Sequence, residues 1–177
     1  MKDIIQAFDL YLNSKDLSFE AVVIGASALI ILEIVDRRTM DVDCLDPKIN
    51  PGVKEASIQF ARSNPKFLLQ DNWLNNGPTS LKNDLPKNWR SNVVSIFKGV
   101  SISFFTLGRL DLLRTKLFAY CDRQSDHDDC VAFKPTLDEL KTCFPWVKDR
   151  DASPLWPDHV TTSFQQLAGA LGYEFKP

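Results

Sequence analysis

The stretch RRTMDVD, residues 37–43, follows an apolar segment that breaks at Gly25-Ala26-Ser27. Successive side chains of a strand point to opposite faces, so a strand over residues 37–45 would put Asp41 and Asp43 on one face and apolar residues on the other. Two aspartates on one face whose Cα atoms are about 7 Å apart can direct their carboxylates to one or two divalent cations. The stretch therefore predicts a strand that carries a metal-binding acidic pair.

The turn from Gly25 to Ser27 lies between a predicted buried strand, residues 21–24, and a predicted helix, residues 28–35. Glycine permits close approach of a ligand to the backbone, helix N-termini suit phosphate, and the serine hydroxyl adds a donor. Taken alone, such a turn is more often a simple helix cap, and the two aspartates also fit the solvated face of an edge strand. Together the two motifs favour a crevice that binds metal and phosphates.

Composition indicates an ordinary globular chain. Its 177 residues, with 44% hydrophobic and 25% charged residues, suggest a single domain. The order of the predicted strands and helices divides this domain into a sheet-containing core over about residues 1–110 and a mainly helical portion over about 111–177. A net charge of -2 gives no argument for DNA binding, although RNA remains a candidate substrate. Four cysteines without a C-x-x-C pair, and only two histidines, make a structural zinc site improbable. Without a bilayer-length apolar run or a secretory leader, we expect a soluble, cytoplasmic protein with no membrane partner and with reduced thiols.

Hydrophobic periodicity predicts an α+β fold, in which a short mixed sheet carries flanking helices. Beyond the opening motifs, the pattern indicates a first amphipathic helix, a long loop over residues 71–92 around two tryptophans, and a hairpin of strands 93–97 and 100–106. Further helices are expected over residues 53–62 and 110–122, after a capping box at Thr136, and from Val160 onward, with Trp156 in a linker.

Lys116 falls within the apolar arc of the helix predicted for residues 110–122. Burial of an unpaired ammonium is costly, so this side chain needs an anionic partner or an exit to solvent. One interpretation is a lysine that contacts phosphate in a cleft. Another is that Asp126 or Asp129, in the acidic cluster that follows, pairs with Lys116 or Arg123 or touches substrate. A solvated loop explains the cluster as well.

A set of motifs in a fixed order resembles the nucleotidyltransferase superfamily: G-A-S, then R-x-T-x-D-x-D, then K-L-x-A followed by R and D-x-x-D. The similarity is greatest to the small bacterial branch with abortive-infection and toxin-type members, and it covers roughly residues 20–45 and 108–131. It implies a nucleotidyltransferase-like fold with a helical C-terminal portion. It also implies transfer of a nucleoside monophosphate from an NTP to a protein or RNA acceptor, and, for toxin-type members, a cognate antitoxin as partner.

The resemblance also implies roles for individual residues. Gly25 and Ser27 would hold the triphosphate, while Asp41 and Asp43 would be catalytic residues that ligate Mg²⁺ at a site for one or two ions. Further nucleotide contacts would come from Arg37 and Lys116, the latter also as a catalytic residue. Accessory positions would be Arg123, Asp126 and Asp129.

One departure from the superfamily pattern concerns a third carboxylate, which relatives usually supply from a later strand. Residues 93–97 and 100–107 contain no Asp or Glu, and the nearest later acid is Asp111. The alternative hypothesis is therefore a catalytically inactive nucleotide-binding or protein-interaction module on the same fold.

Overall fold

The computed structural model describes residues 1–177, which form two compact units, Met1–Gly108 and Arg109–Pro177. The first unit contains all five strands, and the second is helical. The predicted α+β class with a short mixed sheet is confirmed.

The sheet has the strand order β3-β2-β1-β5-β4. Its strands are β1 (Phe19–Ile24), β2 (Val42–Asp46), β3 (Leu74–Asn75), β4 (Val94–Lys98) and β5 (Ile102–Thr106). β1 is antiparallel to β2 and parallel to β5, β2 is parallel to β3, and β4 and β5 form the predicted hairpin. The sheet is therefore mixed, with the strand that precedes Gly25 at its centre and the acidic strand beside it.

Helices α1 (Lys2–Asn13) and α3 (Pro51–Ser63) supply side chains to the apolar core of the first unit, together with one face of the sheet. Phe8 of α1 is fully buried and packs edge-on against Trp73, with 5.1 Å between ring centroids. α3 begins two residues before the predicted start at residue 53, because the Asn50 side chain caps it by accepting a hydrogen bond from the Val53 N–H, and Pro51 is tolerated in the first turn.

Two element boundaries near the motifs differ from the prediction. The strand begins at Val42 rather than at residue 37, because its partners begin there: Val42 pairs with Leu74 of β3, and Asp43 pairs with Ile24, the last residue of β1. Earlier residues have no β1 partner. That helix, α2 (Gly25–Ile31), starts at the glycine itself and ends four residues before the predicted end at residue 35.

The second unit contains α4 (Arg109–Arg123), α5 (His127–Ala132), α6 (Leu137–Lys148) and α7 (Trp156–Ala170). The capping box at Thr136 is confirmed by its two reciprocal hydrogen bonds with Glu139. The segment after Asp126 forms α5 rather than an irregular loop, and Trp156 starts α7 rather than lying in a linker, since the proline that follows is tolerated in a first helical turn.

Asp9 of α1 anchors the hairpin turn in a way that no sequence pattern indicated. Its buried carboxylate accepts hydrogen bonds from the backbone N–H groups of Val100, Ser101 and Ile102, at 3.0, 2.8 and 2.7 Å. Three orphan donors of the turn are thereby satisfied by one side chain.

No helix combines the length and apolarity needed to cross a membrane. All four cysteines are buried and free, and burial raises the pKa of Cys121 and of Cys143 to about 12.

Candidate active site at the junction of β1 and α2

Gly25 is the residue at which β1 becomes α2, and its backbone has a φ of +76°. This is the left-handed region, which side chains other than glycine rarely adopt. A Cβ atom at this position would lie 2.6 Å from Oδ2 of Asp43. The position thus requires glycine for two independent reasons, and the second brings the turn and the acidic strand into direct contact.

Asp43 lies half-buried on β2, directly opposite Ile24 in the antiparallel register. Its Oδ1 accepts a hydrogen bond from Nδ2 of Asn75 at 3.1 Å, and Asn75 is its register partner on β3. The side-chain carbonyl oxygen of Asn75 in turn accepts from the Gly77 N–H at 2.7 Å. Asn75 was not singled out from the sequence, although the N-N-G-P stretch over residues 75–78 is a recognisable turn signal.

Asp41 stands one residue before β2 and is exposed. One of its carboxylate oxygens accepts a hydrogen bond from the Thr39 hydroxyl at 2.7 Å. Arg37, also exposed, belongs to the irregular segment between α2 and β2. The strand geometry inferred for Asp41 is therefore wrong, although the residue remains two positions from Asp43 in the sequence.

The donors available here suit Mg²⁺. Asp41 and Asp43 offer carboxylate oxygens only, and no cluster of three or more His, Cys, Asp or Glu side chains occurs that would form an all-protein metal cage. Mg²⁺ commonly takes one or two carboxylates and completes its octahedral shell with waters and substrate phosphates. A carboxylate against a glycine turn, with a second one two residues earlier in the sequence, fits that ion better than a zinc site or a caged calcium site.

Ser27 does not present a free hydroxyl to solvent in this structure. The residue is only 1% exposed, and its hydroxyl donates to the Ile24 carbonyl oxygen at 3.3 Å. It is also not the helix cap, since that position is Ile24 and carries no capping side chain. Its contact with a triphosphate stays a prediction.

A family model described as "Nucleotidyltransferase of unknown function (DUF6036)" matches residues 1–134. The chain belongs to this family of nucleotidyltransferases. The matched range contains the β1–α2 turn, the acidic pair and all of α4 and α5. The nucleotidyltransferase assignment inferred from the motifs is therefore confirmed. Comparisons with curated proteins and with solved structures found no match.

In the second unit, Lys116 forms a buried ionic cluster with the acids that follow α4. Its ammonium donates to Asp126 at 2.8 Å and to Asp129 at 2.7 Å, and all three side chains are at most 10% exposed. Arg123, which is 62% exposed, binds the other oxygen of Asp126 at 3.0 Å. This is the ion pairing that the sequence left open as an alternative.

The cluster controls the ionisation of Asp126. Burial by itself would raise the pKa of this carboxyl, but hydrogen bonds and charge from Lys116 and Arg123 bring the pKa below its ordinary value. Asp126 therefore stays ionised at neutral pH and neutralises the buried ammonium. A direct contact between Lys116 and phosphate stays a prediction, and it relies on the one ammonium proton not already donated to a carboxylate.

Asp46 marks a second charged group on the sheet that the sequence did not single out. Its carboxylate binds Lys82 at 2.8 Å and Arg90 at 3.1 Å. Burial opposes ionisation of Asp46, but these two hydrogen-bonded cations bring its pKa below the ordinary value. The two cations come from the segment over residues 71–92, which was predicted to be a loop and in fact contains β3 and short 3-10 turns.

Proposed function

We propose that this protein is a Mg²⁺-dependent nucleotidyltransferase that moves a nucleoside monophosphate from an NTP to a protein or RNA acceptor. In this reaction an acceptor oxygen bonds to the α-phosphorus, the bond from that phosphorus to the bridging oxygen breaks, and pyrophosphate leaves. Membership of the family supports the reaction class. The observation that carries the proposal is the contact between Gly25 and Asp43.

This contact matters because the two substrate-binding requirements meet there. A glycine backbone without a Cβ lets phosphate oxygens approach closely, and the adjacent carboxylate gives Mg²⁺ a ligand next to those oxygens. Asp41 and Asp43 would hold the ion, which neutralises charge that develops on the phosphates when it is bound. The hydrogen bond from Asn75 helps to fix the Asp43 carboxylate, whose Oδ2 lies against the glycine.

A radiolabelling experiment tests this proposal. Purified protein is incubated with each α-labelled NTP, Mg²⁺ and cell extract, and labelled acceptors are separated by gel electrophoresis before and after RNase treatment. We expect label on one acceptor class and none with Asp41→Ala/Asp43→Ala. A matched control is Asp149→Ala/Asp151→Ala, which removes two exposed aspartates at the same spacing from the second unit. Equal labelling by the wild type and the Asp41/Asp43 variant would refute the proposal.

The proposed biological role is toxin-like, with a cognate antitoxin as partner, on the basis of the motifs shared with toxin-type members of the superfamily. Controlled expression in a bacterial host tests this part separately. We expect growth arrest with the wild type and normal growth with Asp41→Ala/Asp43→Ala at equal protein levels. Arrest by both proteins would remove nucleotidyl transfer as its cause.

A specific observation favours a second candidate function, nucleotide binding without turnover. β4 and β5 carry no acid, and the buried Thr106 at the end of β5 donates its hydroxyl to the Val23 carbonyl at 2.7 Å. Asp111, the nearest later acid, is 4% exposed and paired with Arg114. If calorimetry detects NTP binding while no acceptor is ever labelled, this second function is the correct one.

A further inference from the structure

A pocket of about 260 Å³ opens on one face of the sheet in the first unit, and Gly25 is not among its lining residues. Its lining residues include members of three adjacent strands and of the segment before β4, among them Glu20, Val22, Asp46, Phe105, Trp89 and Arg90. Typical pockets for drug-sized ligands measure roughly 300–1,000 Å³. The pocket is therefore sized for a single ring system rather than for a whole nucleotide.

The strand register puts this pocket on the same sheet face as Asp43. Val22 pairs with Asp46 and Ile24 pairs with Asp43, with Leu45 as one extra residue on β2 between the two pairs. Directly opposed residues share a face, and Val22 and Ile24 are alternate residues of β1. Gly25 follows Val22 by three residue steps, which corresponds to about 10 Å of strand. A ligand in the pocket thus lies within reach of a molecule bound at Gly25.

The two carboxylates of the pocket differ in whether they already form ion pairs. Asp46 is neutralised by Lys82 and Arg90, whereas Glu20 is exposed and forms no ion pair. Arg90 lies with its guanidinium carbon 4.3 Å from the centre of the Trp89 ring, and Asp46 engages only one of its nitrogens. The pocket therefore offers a carboxylate acceptor, a flat guanidinium surface with spare N–H donors, and apolar walls.

The geometry points to a nucleobase pocket with a preference for guanine. Guanine presents two adjacent donors, the ring N1–H and the exocyclic amino group, which one carboxylate accepts with both oxygens, and its O6 and N7 accept from arginine. Bases also stack on guanidinium planes, which suits Arg90 against the buried Trp89. The base belongs either to the incoming NTP or to the terminal nucleotide of an RNA acceptor. This inference rests on the proposed function, but the experiment that tests it does not require nucleotidyl transfer.

The test uses nucleosides, which lack phosphates and therefore do not depend on the metal site. Calorimetry on the full chain should show guanosine binding roughly tenfold or more tightly than uridine. Glu20→Gln should remove most of this preference, because an amide has one acceptor oxygen and adds a competing donor. Glu55→Gln, at an exposed glutamate on α3 outside the pocket, is the matched control. Arg90→Lys keeps the charge but loses the flat surface, so it should weaken both nucleosides.

Failure of this inference and failure of the proposed function give different results. Guanosine affinity should be the same in Asp41→Ala/Asp43→Ala, even if labelling is abolished. Competition with GTP·Mg²⁺ and with an oligoribonucleotide ending in guanosine identifies the source, and displacement by either supports a base pocket. Absence of guanosine binding, or equal preference in the wild type and Glu20→Gln, overturns the inference.

Discussion

Replacement of Gly25 by alanine should disturb both stability and nucleotide binding, because the new Cβ meets two obstacles. The backbone φ of +76° costs a residue other than glycine about 1–2 kcal/mol. The Cβ would also lie 2.6 Å from Asp43 Oδ2, so the carboxylate must move and weaken its hydrogen bond from Asn75. A hydrogen bond to a charged group contributes about 1.5–3 kcal/mol. We therefore expect the free energy of unfolding to fall by about 2–4 kcal/mol.

Urea denaturation followed by circular dichroism measures this change, and the chain offers graded controls. Gly172 has a φ of +80°, and an added Cβ there would have no neighbouring atom within 4 Å, so Gly172→Ala carries only the backbone cost. Gly169 lies in α7 with open space around it, so alanine there should stabilise by up to about 1 kcal/mol. In an Asp43→Ala background, Gly25→Ala should likewise carry only the backbone cost of about 1–2 kcal/mol.

Calorimetry with an NTP and Mg²⁺ provides the functional half of the experiment. We expect Gly25→Ala to lose Mg²⁺-dependent nucleotide affinity, since the displaced Asp43 no longer faces the turn. The reasoning is refuted if Gly25→Ala costs no more than Gly172→Ala, or if removal of the Asp43 side chain leaves the cost of Gly25→Ala unchanged. Either result would mean that the carboxylate does not lie against the glycine.

Three further predictions concern the buried charges. Asp9→Ala should lower the free energy of unfolding by about 2–4 kcal/mol, because three backbone N–H groups lose their acceptor, and Asp9→Asn should cost less; equal stability of Asp9→Ala and the wild type in urea would contradict this. Lys116→Met should cost about 3–5 kcal/mol by removing the ammonium that two buried carboxylates share, and the addition of Asp126→Asn and Asp129→Asn should restore most of it; an additive loss instead would exclude the cluster. Because the folded-state pKa of Asp126 lies below its unfolded value of about 3.9, its stabilisation is present above that pH and disappears as the pH falls through the folded pKa, so melting temperatures measured from pH 6 to pH 3 should fall more steeply in the wild type than in the triple variant.

Local sequence patterns predicted most of the secondary structure. The first helix, the buried strand before Gly25, the hairpin and the capping box at Thr136 all appear near their expected positions. These features depend on hydrophobic period, turn residues and caps, which act over a few neighbouring residues. The errors occur where a boundary depends on a partner: β2 begins at Val42, where its pairing with Leu74 of β3 begins, and no local signal in residues 37–41 contains that information.

The residues of the candidate site also divide into those that local sequence identifies and those that distant contacts bring together. Gly25, Asp41 and Asp43 are found from their spacing and from the family motifs, whereas Asn75 is brought to Asp43 by a two-residue strand from a segment that was expected to be a loop. The partners of Asp46 are 36 and 44 residues away along the chain. Contacts over such separations are set by packing of the whole unit.

The sequence by itself determined the family, the α+β class and the residue types available for chemistry, since these are written in motifs and periodicity. Only the tertiary structure decided which groups meet. It put Gly25 against Asp43, turned the Ser27 hydroxyl inward, bound Lys116 between Asp126 and Asp129, and formed a pocket beside Glu20. The physical reason is that strand register and burial are properties of the folded sheet and core, so a residue's partner depends on distant segments that its own neighbours do not specify.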